Sequence, residues 1–347
     1  MSERILVTGG AGYIGSHILV ELAKAGHRPV VLDNLATGNA AAVAQAGLLA
    51  GMEIPLWRGD VRSAATLRRI FETWRRAGDP IRQVIHLAGM KSVPESMAAP
   101  LQYYDVNLHG STNLVRAMLA YDARHLVFSS SATVYGAPAR LPIRETAALS
   151  PCTPYGHSKR AVEQMLADVC NARADFRATV LRYFNPVGAH PSGRIGEAPA
   201  APSSNLFPCI AQVATGLRPH LVVFGRDYPT RDGTAVRDYL HVSDLALGHV
   251  KALCGDRPGG GWRALNLGTG QGSTVMELLD AFERQAHAHI PYVTAQRRPG
   301  DVAELWADVA LAEQELGWRA TRSLDQMCRD GWRWQASHPD GYKEPRR

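Results

Sequence analysis

The sequence has no run of eighteen apolar residues, so nothing in it reads as a membrane span. It has few cysteines. The five, Cys152, Cys170, Cys209, Cys254 and Cys328, are odd in number, far apart and form no CxxC pair. That argues for reduced thiols and against a structural zinc site, so no metal is expected. No block of five or six like charges occurs. The formal net charge of +6 permits nucleic acid or a membrane surface as partner. The arginines are scattered, however. The basic stretches are "RRIFETWRR" (Arg68 to Arg76), which reads as a solvated helix face, and the tail "KEPRR". Neither nucleic acid nor membrane is therefore an expected partner. The start, "MSERILVTGG", runs straight into a strand and has no basic region, apolar run and cleavage site in series. The expected location is the cytoplasm. No internal repeat and no low-complexity linker is present.

What is present is ordinary globular composition: 347 residues, 46% hydrophobic and 20% charged, enough for one large or two modest domains. Short apolar runs recur: "RILVTG" (Arg4 to Gly9), "PVVLDN" (Pro29 to Asn34), "QVIHLAG" (Gln83 to Gly89), "HLVFSSS" (His125 to Ser131) and "ATVLRYF" (Ala178 to Phe184). They read as buried parallel strands. "IGSHILVELAKAG" and "STNLVRAMLAYDA" between them have helical periodicity. Such alternation predicts an α/β fold, a doubly wound parallel sheet. From Asn185 the texture changes. "NPVGAHPSGRIGEAPAAPSS" is long for a loop and rich in Pro, Gly and Ser, and long loops are usually functional when ordered. A strand, "ALNLGTG" (Ala264 to Gly270), and a helix, "TVMELLDAFERQA", predict a smaller C-terminal α/β domain packed back on the first. The expected domains are 1–184 and 185–347, with some later segments returning to the first.

"TGGAGYIG" places Gly9, Gly12 and Gly15 between a strand and a helix, the context that makes a glycine triplet informative. Glycines there let backbone N–H groups approach a pyrophosphate at the positive helix end, a Rossmann-type cradle. Asp33 closes the second strand, where a carboxylate holds the ribose hydroxyls of NAD and repels a 2′-phosphate. The alternative is a tight turn and a surface Asp. Asp60, ending the "GD" pair, is placed to meet the adenine. The small residues of "HLAGMK" (His86 to Lys91) let a cofactor lie close.

"TPYGHSK" (Thr153 to Lys159) pairs a phenol with an ammonium. Thr suits the N-cap and Pro the first helical position, which puts Tyr155 in the first turn and Lys159 one turn later on the same face. A free tyrosine has a pKa near 10, so one acting as a base at pH 7 needs its phenolate stabilised by about 4 kcal/mol. One positive charge about 4 Å away supplies about 4 kcal/mol at an effective dielectric of about 20. Lys159 is expected to do most of this. The helix end adds a little, and an oxidised nicotinamide adds a second charge that vanishes on reduction. The pair suits taking a proton from an alcohol while a hydride leaves its carbon. The plain alternative is a surface helix pair.

Together "TGGAGYIG", "YGHSK" and the serines Ser129 to Ser131 resemble the extended short-chain dehydrogenase/reductase family. "SSSATVYG", "LRYFNPVGAHPSG", "GTAVRDYLHVSDLA" and "RRPGDVAELWAD" are similar, in order, to its UDP-hexose 4-epimerase branch. The resemblance implies that Ser131 and Tyr155 contact the sugar 4-hydroxyl, with Tyr155 the proton acceptor, and that Lys159 binds the nicotinamide ribose. It implies that Gly9, Gly12, Tyr13, Ile14, Gly15, Asp33 and Asn34 line NAD. Asp60, Val61, Leu87, Ala88, Gly89, Lys91, Asn107 and Phe184 complete that lining. Asn185, Asn205, Leu206, Phe224, Arg237, Arg298, Asp301 and Leu305 are implied around the UDP-sugar, where arginines suit a pyrophosphate. The implied chemistry is transient oxidation at sugar C4, a turn of the 4-keto sugar while its UDP stays held, and return of the hydride to the opposite face. The segment from Pro186 to Ser204 is expected to be loose and to cover the sugar.

A homodimer through helices of the nucleotide-binding domain is also implied. Two positions depart from the pattern. Val106 stands where an asparagine often precedes the Asn107 position, at the expense of a cofactor contact. Leu305 stands where a tyrosine is common, which is expected to open the substrate range to N-acetylated UDP-hexoses; the plain alternative is that Leu305 is core packing and a neighbour blocks the pocket. A sugar-nucleotide 4,6-dehydratase is a rival, but it needs an Asp-Glu pair where this chain has Ala132 and Thr133. A non-catalytic dinucleotide-sensing regulator is another, and it is expected to lack the Tyr-Lys pair.

Overall fold

The computed structural model describes residues 3–198, 205–255, 260–298 and 301–342. The first part alternates as the apolar runs predict. In order come β1 (Arg4–Thr8), α1 (Tyr13–Lys24), β2 (Arg28–Asp33), α2 (Ala40–Ala50), β3 (Leu56–Arg58), α3 (Ala64–Arg76) and β4 (Gln83–His86). Then come α4 (Val93–Ala98), α5 (Pro100–Tyr103), α6 (Gly110–Ala120), β5 (His125–Ser129), α7 (Pro154–Ala172) and β6 (Arg177–Tyr183). A single π-helical turn, Tyr104–His109, joins α5 to α6; such turns are frequent at functional sites. The rest supplies β7 (Asn185–Val187), α8 (Leu206–Ala214), β8 (Leu221–Phe224), β9 (Val236–Arg237), β10 (Tyr239–His241) and α9 (Val242–Cys254). After these follow β11 (Gly261–Leu267), β12 (Ser273–Thr274), α10 (Val275–Ala286), β13 (Tyr292–Ala295), β14 (Glu304–Leu305), α11 (Ala310–Leu316) and α12 (Leu324–Ser337).

Seven parallel strands form the main sheet in the order β11-β6-β5-β4-β1-β2-β3. Most residues of its strands are apolar and buried, because both faces are covered. Alternate residues of β1 point to opposite faces: Ile5 and Val7 enter the core under α1 and α9, Leu6 the core with Phe71 and Met118. Each such buried Leu or Ile contributes about 1.5–3 kcal/mol. Strand order reverses between β1 and β4, which opens a crevice at the carboxyl ends of the strands, the usual place for a ligand. The strands expected to reach Gly89 and Ser131 stop at His86 and Ser129, and the residues beyond them line that crevice.

The strand within "ALNLGTG" lies not beside the later elements but in the main sheet: residues 261–267 form its seventh strand, pairing with β6 from Gly261↔Arg177 to Leu267↔Tyr183. The reason is burial. Ala264, Leu265, Asn266 and Leu267 are all buried, and a strand covered on both faces needs the main sheet beside it. A separate core gathers Phe207, Ile210, Val223, Leu278, Phe282 and Met327, beside the small sheets β10-β7, β13-β8 and β12-β9-β14.

Candidate active site

The glycine cradle is steric. Gly9 has φ +73°, and a Cβ there would lie 2.7 Å from the Ala88 backbone nitrogen. A Cβ on Gly15 would lie 2.4 Å from the Gly9 carbonyl oxygen. Gly12 is the N-cap of α1, and among the described residues no side chain caps that helix, whose first residues are Tyr13 and Ile14. A backbone so bare at a positive helix end is suited to an anion.

Asp33 is buried and grips the cradle, accepting from the Ala11 N–H at 3.0 Å and the Leu35 N–H at 2.8 Å. Burial pushes its carboxyl pKa up, and the two N–H donors pull it back. Asn34 donates to Asp60 at 3.0 Å. Arg62, which the sequence reading missed, holds Asp60 at 2.9 Å and keeps its carboxyl down at about 2. Beside them Val61 is buried. Leu87 and Ala88 both donate to the Thr8 carbonyl oxygen. Asn107, in the π-turn, accepts from the Met90 N–H at 2.8 Å and donates to Ser158 at 2.9 Å. It brackets Gly89, where a Cβ would lie 2.9 Å from its Oδ1. Val106, before it, is half-buried.

Thr153 caps α7 by accepting from the Gly156 N–H at 3.2 Å, with Pro154 as the first helical residue. Tyr155 is buried edge-on against Tyr103, with the Ser131 side chain near its hydroxyl. Lys159 donates from Nζ to the Ser129 carbonyl oxygen at 2.8 Å and stands 5.9 Å from the Tyr155 ring centre. Here the electrostatic expectation is corrected. Burial raises the Tyr155 pKa, with the polar Ser131 side chain as the opposing influence. Burial also lowers Lys159 to about 8, against the charge of Glu163. Spacing along the helix reveals the attraction between the two groups but not the desolvation that burial imposes on both.

The sugar-side residues fall in two places. Arg237 and Leu305 are register partners between β9 and β14. Arg237 donates to the Val236 and Val302 carbonyl oxygens, both at 2.9 Å, and lies 3.4 Å from Asp301. Arg298 stacks over Phe224 at 4.0 Å. Leu305 packs on the cluster of Ala132, Phe184 and Ala307, which brings it beside the segment carrying Ser131. Asn185 opens β7 and donates from its backbone to the Asp238 carbonyl oxygen. Leu206 opens α8 and packs on the second core. Glu197, not singled out from sequence, pairs with Lys91 at 3.1 Å and accepts from Asn205 at 3.5 Å.

The segment expected to be loose is docked as far as it is described. The Trp334 indole donates to the Glu197 carbonyl oxygen at 3.1 Å, and Tyr13 donates to that of Gly188 at 2.7 Å. Residues 199–204 of that segment lie outside the described residues. The rival dehydratase chemistry finds no acid here, since Ala132 is buried and Thr133 donates to Ser131 at 3.0 Å.

With this geometry the comparisons agree. Residues 6–331 match the family described as GDP-mannose 4,6 dehydratase. UDP-glucose 4-epimerase of Bacillus subtilis (strain 168) is 50% identical over 339 residues, which is 98% of each chain. The crystal structure of UDP-glucose-4-epimerase from Stenotrophomonas maltophila, with bound NAD and formylated UDP-arabinopyranose, has a TM-score of 0.93 at 47% identity, covering 97% of this chain and 99% of that one. The enzyme from Bifidobacterium longum in complex with NAD+ and UDP has a TM-score of 0.93 at 43% identity, covering 98% and 100%. The chain belongs to the GDP-mannose 4,6 dehydratase family and, within it, to the UDP-glucose 4-epimerases.

Proposed function

We propose that this chain is an NAD-dependent isomerase that interconverts UDP-galactose and UDP-glucose by inverting C4 of the sugar. The observation that carries this is the buried Tyr155–Lys159 pair beside Ser131, at the end of the crevice that the glycine cradle opens. The residues fit NAD: the loop can close this tightly only because Gly9 and Gly15 carry no Cβ, which leaves its backbone N–H groups bare at the start of α1, and Asp33 sits at the end of β2 where ribose hydroxyls are held. Gly12, Tyr13, Ile14, Asp33, Asn34, Asp60, Val61 and Lys91 would hold the nucleotide; Leu87 to Gly89, Asn107, Lys159 and Phe184 would flank its reactive end. When bound, NAD supplies reversible oxidation at C4. Tyr155 takes the C4 hydroxyl proton and returns it, and Ser131 orients that hydroxyl. Lys159 fixes the nearby ribose. Arg237, Arg298 and Asp301 hold UDP so that the sugar turns over without leaving, with Asn185, Asn205, Leu206 and Phe224 around it.

Leu305 leaves room for a 2-acetamido group, which extends the substrates to UDP-N-acetylglucosamine and UDP-N-acetylgalactosamine. The chain acts as a homodimer in the cytoplasm. Met97 is 61% exposed and Leu101 82%, with Val93 and Tyr104 also exposed, so α4, α5 and the turn after them present an apolar face that suits a second copy. Among the described residues no helix is long and apolar enough to cross a membrane. The test incubates the purified protein with UDP-galactose. UDP-glucose with no net NADH is expected; a 4-keto-6-deoxy product would point to the dehydratase instead.

A further inference from the structure

Glu163 lies one turn beyond Lys159 on α7 and is buried, and no role above uses it. Its Oε1 accepts from Ser130 Oγ at 2.5 Å, and its Oε2 accepts from Arg182 Nη2 at 2.6 Å. Arg182, on β6, is itself buried and reaches the Tyr135 hydroxyl at 3.1 Å. A buried ion pair adds little net stability, because desolvation offsets the attraction. Its position is more informative. The three serines after Phe128 have three different attachments. The Ser129 carbonyl oxygen receives Lys159, the Ser130 hydroxyl donates to Glu163, and the Ser131 hydroxyl, which accepts from Thr133, lies close enough to Tyr155 to hold its pKa down against burial.

We propose that Glu163 is a positioning residue for proton transfer: anchored by Arg182, it holds Ser130 and so fixes the short backbone that carries the Lys159 acceptor on one side and the Tyr155 partner on the other. The proposal rests on the roles assigned above to Tyr155 and Lys159. Glu163 also opposes the burial that lowers Lys159.

The surrounding groups leave Lys159 as the one that titrates near neutrality. His86 faces it from β4 and is held neutral, at about 3, by burial and by the Lys159 charge. His249, on α9, bonds the Ser129 hydroxyl and is lowered to about 4. Tyr183 on β6 and Tyr103 on α5 are raised by burial. On the Glu163 side, Tyr135 is raised to about 12 and Arg182 stays cationic.

The experiment measures UDP-galactose turnover against pH for the NAD-loaded wild type, Ser130→Ala and Glu163→Gln, with Tyr155→Phe as control. Ser130→Ala keeps the ion pair, so it folds; kcat is expected to fall about tenfold or more, as for misplaced reacting groups, while KM stays within about twofold because UDP is held elsewhere. In Glu163→Gln the alkaline limb of kcat is expected to move to lower pH, since Lys159 loses a neighbouring negative charge. If Glu163→Gln fails to fold because Arg182 is left uncompensated, Ser130→Ala decides alone. Wild-type kcat and pH profile in Ser130→Ala overturn the proposal, as does a loss spread equally over kcat and KM with a lowered melting temperature. Wild-type turnover in Tyr155→Phe overturns the underlying roles instead.

Discussion

Lys159 gives its hydrogen bond to the Ser129 carbonyl oxygen and stands 5.9 Å from the centre of the Tyr155 ring. One of its three N–H donors is thus taken by the backbone, and burial holds the phenol above its ordinary pKa. We infer that the positive charge of an oxidised nicotinamide would lower Tyr155. Chemical reduction of the bound NAD removes that charge. The Tyr155 titration, read as the absorbance difference between wild type and Tyr155→Phe, is expected to move to higher pH on reduction. An unchanged titration contradicts this.

Asp33 joins the cradle to the end of β2 through the Ala11 and Leu35 N–H groups. Asp33→Ala removes both charged hydrogen bonds and the proposed ribose contact. Hydrogen bonds to a charged group contribute about 1.5–3 kcal/mol, so NAD affinity should fall by about 10- to 100-fold. Nucleotide released from denatured wild-type protein should be NAD; release of NADP contradicts the reading of Asp33.

How much of this was legible in the sequence depends on how local the cause is. The Thr153 cap, Pro154 and the spacing of Tyr155 and Lys159 obey rules that act within one turn, and α7 begins where they say. The strands of the first half and the glycine cradle are equally local. Pairing across the chain was not legible. Nothing near Gly261 says that its strand will join Arg177, and Glu197 meets Lys91 from 106 residues away. The Tyr155 pKa failed for a related reason: spacing reveals a neighbouring charge, whereas desolvation depends on everything that covers the ring.

Leu305 packs on the cluster of Ala132, Phe184 and Ala307, beside the segment that carries Ser131. The wild type should turn over UDP-N-acetylgalactosamine as well as UDP-galactose. Leu305→Tyr should lose the N-acetylated activity selectively; one extra group in an apolar pocket discriminates by about 1–3 kcal/mol, so about 10- to 200-fold. A wild type inert toward the N-acetylated pair contradicts the prediction.

His17, His86 and His125 are buried and each held at about 3, far below the ordinary 6.5. Below pH 6.5 the unfolded chain binds protons that the folded chain refuses, so stability falls as pH drops from 6.5 toward 3. Each unit costs about 1.4 kcal/mol per imidazole. The midpoint of urea unfolding should be clearly lower at pH 5.5 than at pH 7, and His125→Gln should narrow that gap. Equal midpoints contradict it.

The most direct measurement follows UDP-galactose by NMR with purified wild type and Tyr155→Phe. The wild type should bring UDP-galactose and UDP-glucose to equilibrium without net NADH. Tyr155→Phe should turn over about 10²–10⁴-fold more slowly, the usual worth of a general base, while still binding UDP. Turnover of the variant within a few-fold of wild type, or no UDP-glucose from the wild type, would contradict the account.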